Sequence, residues 1–311
     1  MSKGHPGCMT LVFAIAPLLL VIAVGYGIAR GGIIPPASWA GIETLSFRVL
    51  IPATLALAIA RSDLSIARYG DFGVALVITL VLLFAVAMML RLLPHTVLDN
   101  PSFTSLFQTG ARWNAFVALA AAEQFLSGGI ALLAVAIAVL IPLINVICIL
   151  VLASFGPARP SLGKVIGTLV RNPLIQACVA GLIINVSGVS LPPAIVATLD
   201  MIGRAALGVG LMAVGAGISL RRLVRVDWRV VPGIAMRPFA STGLFVAVGS
   251  AMQLEPVQIF AGVLVFAAPA ASNGYIVAKQ MGSDANLYAD VMTWQVALSL
   301  IVLPFWASIL L

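Results

Sequence analysis

The sequence Ala267-Ala-Pro-Ala-Ala-Ser-Asn-Gly-Tyr-Ile-Val-Ala278 interrupts an apolar segment that is otherwise long enough to cross a membrane. Pro269 removes a backbone donor and clashes with the preceding helical turn, and Gly274 adds backbone freedom, so the pattern predicts a broken helix. The break also places Ser272 and Asn273 side by side. At bilayer depth, unpaired amide and carbonyl groups are tolerated only where they are buried in protein or line a wet cavity. The stretch therefore predicts a polar site inside the membrane.

A second interruption, Gln108-Thr-Gly-Ala-Arg-Trp-Asn-Ala-Phe-Val-Ala118, follows the same pattern. Both stretches lead from small residues into an asparagine, then a small residue, an aromatic and an aliphatic: Asn114-Ala-Phe-Val and Asn273-Gly-Tyr-Ile. This stretch has no proline at its break, so Gly110 is expected to supply the irregularity. Two broken spans at matching places in the two halves of a chain predict a substrate site between them.

The composition is that of an integral membrane protein. Of the 311 residues, 62% are hydrophobic and only 9% are charged, and the mean hydropathy is +1.15. Water-soluble chains carry roughly a quarter charged residues. Apolar runs of about 20 residues, the length needed to cross the hydrocarbon layer, recur from one end of the chain to the other. We therefore predict a lipid-bilayer protein without a soluble domain.

Hydropathy predicts an all-α fold of ten membrane-spanning helices. Because the number of spans is even, both termini are expected on the same side of the membrane. The predicted spans are 10–30, 38–61, 70–93, 102–126, 129–153, 165–187, 192–220, 229–252, 256–280 and 286–310.

The basic residues predict the orientation of these spans. Nine of the 17 lie in loops after odd-numbered spans, and three lie on the opposite side. By the positive-inside rule, this places both termini outside the cytoplasm of a multi-pass protein in the plasma (inner) membrane. The distribution accounts for the net charge of +7, so no nucleic-acid partner is expected. The other five, within spans, are Arg48, Arg112, Arg171, Arg204 and Arg237.

An internal repeat, with an offset of about 156 residues, divides the single membrane domain into 1–155 and 156–311. Matching pairs are Pro17 and Pro173, Gly25 and Gly181, Arg48 and Arg204, Asp71 and Asp227, and, after a slip of three positions, Asn114 and Asn273. Each unit holds five predicted spans, an odd number, so the second unit enters the membrane from the opposite face. This predicts an inverted-topology repeat whose broken spans, the fourth and the ninth, cross near the midplane.

Several motifs resemble the auxin efflux carrier family, whose bacterial members include malonate-carrier-like proteins. The most specific is Arg171-Asn-Pro-Leu-Ile, followed by Gly181-Leu-Ile-Ile-Asn and Leu191-Pro192. The motifs Pro269 through Asn273, Gly282-Ser-Asp-Ala-Asn and Ala297-Leu-Ser-Leu-Ile-Val-Leu-Pro304 extend the resemblance over nearly the whole chain.

The resemblance implies ten spans in two inverted halves, with crossing broken helices in the fourth and ninth spans. It further implies that one asparagine in each crossing helix, here Asn114 and Asn273, helps to bind an organic anion. The chain departs from the family in its third span, 70–93, which has no acid within it and only Asp71 at its entrance.

The residue types near the two breaks suit an anion. An asparagine amide can donate to a carboxylate, although buried asparagine also commonly links one membrane helix to another. Arg112 lies near mid-span, where a guanidinium usually faces the bundle interior or a wet cavity. Its fork of donors matches a carboxylate. The alternatives for Arg112 are an ion pair with Glu123 and a side chain that reaches the membrane interface.

Other charged residues are candidates for substrate contact, gating or coupling. Arg48 and Arg204 are repeat partners in the second and seventh spans, and two unpaired arginines would suit a dicarboxylate. Asp200 lies four residues before Arg204 on the same helix face, so a local ion pair is the alternative. Glu43, Asp200 and Glu123 are the acids that could carry a coupling proton.

Together these patterns predict a secondary transporter for a small organic anion, a mono- or dicarboxylate of malonate or auxin type. The residues predicted to form its site are Asn114, Asn273, Arg112, Ser272, Gly110, Pro269 and Arg48. No nucleotide-binding motif, metal cluster or catalytic constellation is present, so we expect neither a cofactor nor enzymatic activity. Energy would then come from a proton or sodium gradient, the membrane potential or exchange.

Three alternatives remain open at this point. One is a sodium-coupled bile-acid-type symporter, which would need polar sodium ligands, with Ser272 and Thr109 as the main candidates. The others are an intramembrane enzyme and a receptor that does not transport. By analogy with the family, a homodimer is one expected arrangement.

Overall fold

The computed structural model describes residues 8–61, 66–126, 130–155, 163, 166–167, 170–218, 220–224 and 227–310, and every described element is helical. The first half contains α1 (Cys8–Arg30), α2 (Pro36–Leu45), α3 (Ile51–Arg61), α4 (Ile66–Met89), α5 (Asn100–Ala111), α6 (Ala115–Phe125) and α7 (Ile130–Phe155). The second half contains α8 (Pro173–Ser187), α9 (Pro193–Gly217), α10 (Leu220–Val224), α11 (Val230–Ile234), α12 (Ser241–Ala251), α13 (Pro256–Ala267), α14 (Asn273–Gln280) and α15 (Ala285–Leu310). The all-α prediction is confirmed.

Six helices in the described part of the chain are long and apolar enough to cross a membrane. They are Pro36–Arg61, Tyr69–Leu92, Ile130–Phe155, Pro193–Gly217, Val230–Ala251 and Ala285–Leu310. Shorter apolar helices cover Leu19–Arg30, Pro173–Ser187 and Pro256–Ala267. The chain is therefore a multi-pass membrane protein, and each predicted span contains one of the helices or a pair of half-helices.

Two of the long helices are irregular at an arginine. Ser46–Leu50 is a π-helical turn that joins α2 to α3 and contains Arg48. Ala235–Ala240 joins α11 to α12 across a kink, at which the Arg237 backbone is extended (φ −139°, ψ 124°). π-helical turns are uncommon in helices and occur frequently at functional sites.

Several helices begin where the sequence supplies a start signal. Pro36, Pro173, Pro193 and Pro256 each occupy the first helical position. There the missing N–H costs no hydrogen bond and the fixed φ suits the helix. Asp99 caps α5, because its Oδ1 accepts a hydrogen bond from the Ser102 backbone N–H at 2.9 Å.

The helices pack as two groups. The scaffold group consists of α1, α2–α3, α8 and α9, in which α1 packs mainly against α9 and α3 packs against both α8 and α9. The crossover group consists of α4–α7 and α11–α15, in which α12 packs against α4 and α13 and α15 packs against α5 and α13. Contacts of α6 with α9, of α7 with α8 and of α1 with α15 join the two groups.

Glycine allows α1 and α9 to approach closely. A Cβ atom added to Gly215 would lie 1.9 Å from the carbonyl oxygen of Ile22, and one added to Gly25 would lie 2.1 Å from that of Met212. Small residues permit such backbone contact between membrane helices. This contact assigns a packing role to part of the glycine-rich run 208–217.

Candidate functional site

The first predicted break lies between α5 and α6. Helix α5 continues through Gly110 to Ala111, and the backbone becomes extended at Arg112 (φ −74°, ψ 138°). The expectation that Gly110 supplies the irregularity is therefore wrong: the break begins two residues later. Asn114 starts α6 as its N-cap, with Oδ1 accepting from the N–H groups of Phe116 at 3.0 Å and Val117 at 3.3 Å.

The second predicted break lies between α13 and α14. Helix α13 ends at Ala267, Ala268 is extended, and α14 begins at Asn273 after Ser272. The side chain of Asn273 lies outside the described part of the structure, so its predicted role stays a prediction.

Side chains of α15 satisfy the backbone of this second break. The N–H of Ala270 donates to Oε1 of Gln295 at 2.8 Å. The hydroxyl of Tyr288 donates to the carbonyl oxygen of Ala271 at 2.6 Å. Gln295 Nε2 also donates to the carbonyl oxygen of Thr109 in the first half-helix, at 3.2 Å. The break is therefore buried against protein donors and acceptors, as a break at bilayer depth requires.

The two breaks meet. The backbone N–H of Asn114 donates to the carbonyl oxygen of Pro269 at 2.8 Å. Pro269 takes part through this carbonyl and is not among the described residues that line the neighbouring cavity. The hydroxyl of Thr109, considered above as a sodium ligand, is fully buried and donates to the carbonyl oxygen of Leu106 at 2.9 Å.

A buried arginine joins the C-terminal ends of both half-helices that precede the breaks. Arg237 is 1% exposed. Its Nε donates to the carbonyl oxygen of Gly110 at 3.2 Å, and its Nη1 donates to those of Val265 and Ala268, each at 2.8 Å. The guanidinium also lies 5.9 Å from the centre of the Phe266 ring. Arg237 was not predicted as a site residue, although an arginine inside an apolar span is itself a functional signal.

A cavity of about 780 Å³ opens beside the crossing breaks. The crossover group contributes Arg112, Trp113, Asn114, Asn145, Ala271 and Ser272 to its lining. The opposite wall is formed by residues of the scaffold group and of the segment leading into α8, including Glu43, Phe47, Arg48, Arg171, Asn172 and Leu174. The lining also reaches Ala40 and Gly163, towards the loops that follow the first and fifth predicted spans.

Arg112 is held in this cavity by neutral groups. Its side chain is 7% exposed. Its Nε donates to Oε1 of Gln108 at 3.1 Å, and its Nη1 donates to Oδ1 of Asn145 at 3.0 Å. No acid pairs with Arg112 among the described residues. Glu123, the alternative partner named above, is exposed near the C-terminal end of α6. The positive charge of Arg112 is therefore positioned but not neutralised.

The repeat partners Arg48 and Arg204 have different surroundings. Arg48 lines the cavity from its π-helical turn and forms no ion pair within the described ranges. Arg204 forms an ion pair with Asp200 at 2.6 Å, with the arginine side chain 80% exposed. Neither member of that pair is among the described lining residues.

The polar and charged lining residues that were not predicted as part of the site include Glu43, Asn145, Arg171 and Asn172. Glu43 was considered only as a coupling acid, Arg171 was noted as an arginine within a span and, with Asn172, as part of a motif, and Asn145 was not noted. Asn172 is the N-cap of α8, with Oδ1 accepting from the N–H of Leu174 at 2.9 Å. An Asn-Pro pair at the start of an apolar run is a cap signal that could have identified it.

Comparison with known families agrees with this architecture. Residues 157–307 match the family described as Membrane transport protein. The second half of the chain is thus similar to this family. The match confirms the predicted auxin efflux carrier type of transporter, and members of the membrane transport protein family are transporters rather than enzymes. No curated protein sequence gives a significant match.

Proposed function

We propose that the protein is a secondary transporter that moves a small organic anion, a mono- or dicarboxylate, by alternating access through the cavity at the crossing breaks. One observation carries the proposal. Arg112, Asn114 and the residues before α14 line the same wall of one cavity inside a membrane-spanning helix bundle.

This wall offers donors and positive charge. The Nδ2 group of Asn114 has no hydrogen-bond partner among the described residues, so it is free to donate to a carboxylate. Arg112 adds a charge-assisted donor fork, which among the described residues is held by the amide oxygens of Gln108 and Asn145. The N-terminal ends of α6 and α14 face the same region, and each helix N-terminus carries about half a positive charge.

Arg237 also contributes to the positive electrostatic field at the breaks. The C-terminal ends of α5 and α13 each carry about half a negative charge. The guanidinium of Arg237 contacts carbonyl groups at both ends. Its single positive charge offsets the two partial charges, so the positive N-terminal ends dominate the field at the breaks.

The packing of the scaffold group supports an inverted repeat. Gly25 of α1 lies against the backbone of α9, and its repeat partner Gly181 of α8 lies against the backbone of α3. An added Cβ on Gly181 would lie 2.7 Å from the carbonyl oxygen of Ala56. Equivalent glycines thus make equivalent close contacts, α1 with α9 and α8 with α3. This is the pattern expected when a pseudo-twofold axis relates two inverted repeats.

Alternating access then consists of a movement of the crossover group against the scaffold group. In the predicted orientation, the loops near Ala40 and Gly163 face the cytoplasm, so the cavity is open to the inside. The coupling ion would be a proton or sodium, with the bilayer as the surrounding partner.

Counterflow in proteoliposomes tests this proposal. Purified full-length protein is loaded with unlabelled malonate, succinate, acetate or indole acetate, and uptake of the radiolabelled acid is measured. Asn114→Ala, Asn273→Ala and Arg112→Gln should each lower uptake about tenfold or more, the effect of losing one charged or well-aligned donor. Arg204→Gln is the matched control outside the cavity. Uptake that survives all three cavity substitutions would refute the assignment of the crossover site. Preference for a neutral compound would refute the assignment of an anion as the substrate.

A further inference from the structure

We propose that the scaffold wall of the cavity contains a second anion subsite, formed by Arg48, Arg171 and Asn172. The cargo is then a dianion whose two carboxylates bridge the crossover group and the scaffold group. This inference rests on the proposed function of the same cavity and specifies its substrate class.

The described lining of the cavity has more positive than negative charges. Arg48, Arg112 and Arg171 contribute three guanidinium groups, and Glu43 contributes the single carboxylate. None of the three arginines forms an ion pair within the part of the chain that the structure describes. Two positive charges are therefore left without a counter-charge. Arg112 is buried, where an unpaired charge is costly, whereas Arg48 and Arg171 are exposed and accessible to a ligand. A dianion supplies the missing charge, whereas a monocarboxylate supplies half of it.

The positive charges lie on two different walls of the cavity. Arg112 and Asn114 belong to the crossover group, at the break before α6. Arg171 and Asn172 precede α8 of the scaffold group, and Arg48 belongs to the π-helical turn that packs against α8. One carboxylate at each wall therefore contacts both groups of helices at once.

The scaffold wall repeats the design of the crossover wall. Asn172 is 9% exposed, lines the cavity and caps the 15-residue helix α8 through Oδ1. Its Nδ2 group has no hydrogen-bond partner among the described residues. Asn114 caps α6 in the same way on the opposite wall. Each wall thus combines a capped helix N-terminus, a free amide donor and at least one unpaired arginine, which together suit a carboxylate.

A bridging cargo has a direct consequence for transport. Movement of the crossover group against the scaffold group changes the separation of the two subsites. A dicarboxylate interacts differently with the two arrangements, which is the condition for a ligand to shift the equilibrium between them. A monocarboxylate at the crossover wall lacks the second contact.

The test compares matched acids on the full-length protein in vesicles of phosphatidylcholine. Malonate and succinate are compared with acetate and propionate as counterflow substrates. The wild type should show a KM for the dicarboxylates about tenfold lower, the effect of one charge-assisted contact. The ratio of the dicarboxylate KM to the monocarboxylate KM should rise about tenfold in Arg171→Gln and in Arg48→Gln, because each variant loses one charge-assisted contact to the second carboxylate. Arg112→Gln should raise both KM values, and Arg204→Gln should change neither.

Protection against thermal unfolding by malonate, measured on each variant in detergent, shows separately that the variant is folded and whether it binds. Equal KM values for the two classes in the wild type, or an equal loss of both in Arg171→Gln, would overturn the second subsite while leaving the crossover site intact. A loss in Arg171→Gln that appears only in vesicles containing anionic lipid would assign Arg171 to a headgroup and overturn it too. Absence of uptake of all four acids, together with absence of protection by malonate, would instead defeat the proposed function.

Discussion

The backbone N–H of Asn114 donates to the carbonyl oxygen of Pro269 at 2.8 Å, so the two helix breaks satisfy each other directly. An amide or carbonyl group without a partner costs several kcal/mol in hydrocarbon. Here a group from each half of the chain pairs with a group from the other half. The same asparagine uses its side-chain Oδ1 to cap α6. Some polar groups of the breaks are thus paired within the protein, and others remain available to the cavity.

Two substitutions of Asn114 separate its structural role from its role in anion binding. Asn114→Ala removes the cap and should destabilise the protein by about 0.5–2 kcal/mol. Asn114→Asp keeps a cap oxygen but replaces the amide donor by a negative charge, so stability should be retained while anion uptake falls about tenfold or more. Thermal unfolding and uptake are measured on both variants. Wild-type uptake in Asn114→Asp would contradict the assigned role.

The buried arginine should be the most sensitive single position at the crossing. Arg237→Met leaves three carbonyl contacts without their donor, and each unsatisfied buried group costs about 1–3 kcal/mol. We expect a large fall in the melting temperature, with a smaller fall in Arg237→Lys because a positive donor remains. Arg204→Met, at an exposed ion pair worth about 0–1 kcal/mol, is the control. A melting temperature of Arg237→Met equal to that of the control would refute this prediction.

Helix α9 offers a matched pair of glycines. A Cβ on Gly215 would lie 1.9 Å from the carbonyl oxygen of Ile22, whereas one on Gly208 would meet nothing within 4 Å. Gly215→Ala should force α1 away from α9 and cost about 1–3 kcal/mol, the range seen for overpacking. Gly208→Ala should be neutral or stabilising, since alanine is the better helix former by about 1 kcal/mol. Denaturation of both variants in detergent decides the matter, and equal stability would show that α1 and α9 can separate freely.

The contact between Asp227 and Arg229 should make the stability of the fold depend on pH in the acid range. The hydrogen bond from Arg229 lowers the pKa of Asp227 in the folded protein. A lowered folded-state pKa contributes stability above the unfolded value of about 3.9, and that stability is lost as the pH falls through the folded pKa. Because both side chains are about one-third exposed, the effect should be about 1 kcal/mol or less. Melting temperatures should fall between pH 6 and pH 3, and less steeply in Asp227→Asn; parallel curves would contradict the assignment.

Local chemistry made the helices and their interruptions predictable. Proline, glycine and the cap-forming asparagines act on the backbone of their own segment, so both breaks were found close to their actual positions. The start of the first break was wrong by two residues, because Gly110 keeps a helical backbone. Its carbonyl oxygen is instead held by Arg237, and Met236 packs against its Cα hydrogens. Both partners lie more than 120 residues further along the chain, and no local pattern announces them.

The charged residues show the limit of sequence repeats. Arg48 and Arg204 occupy matching positions, yet one lines the cavity and the other pairs with Asp200 on the surface. The partner of Arg204 is four residues away in its own helix, so that pair was predictable. The surroundings of Arg48 depend on how its π-helical turn packs against α8, which is contributed by the other half of the chain.

Hydropathy and backbone chemistry are properties of contiguous residues, so the sequence was enough to predict a helical membrane protein with two interrupted helices. The packed structure was needed to show that Arg112, Arg171, Asn114 and Asn172 line one cavity and that Arg237 links the ends of two half-helices. Those relationships join residues far apart in the chain, and their geometry is set by the packing of the two helix groups.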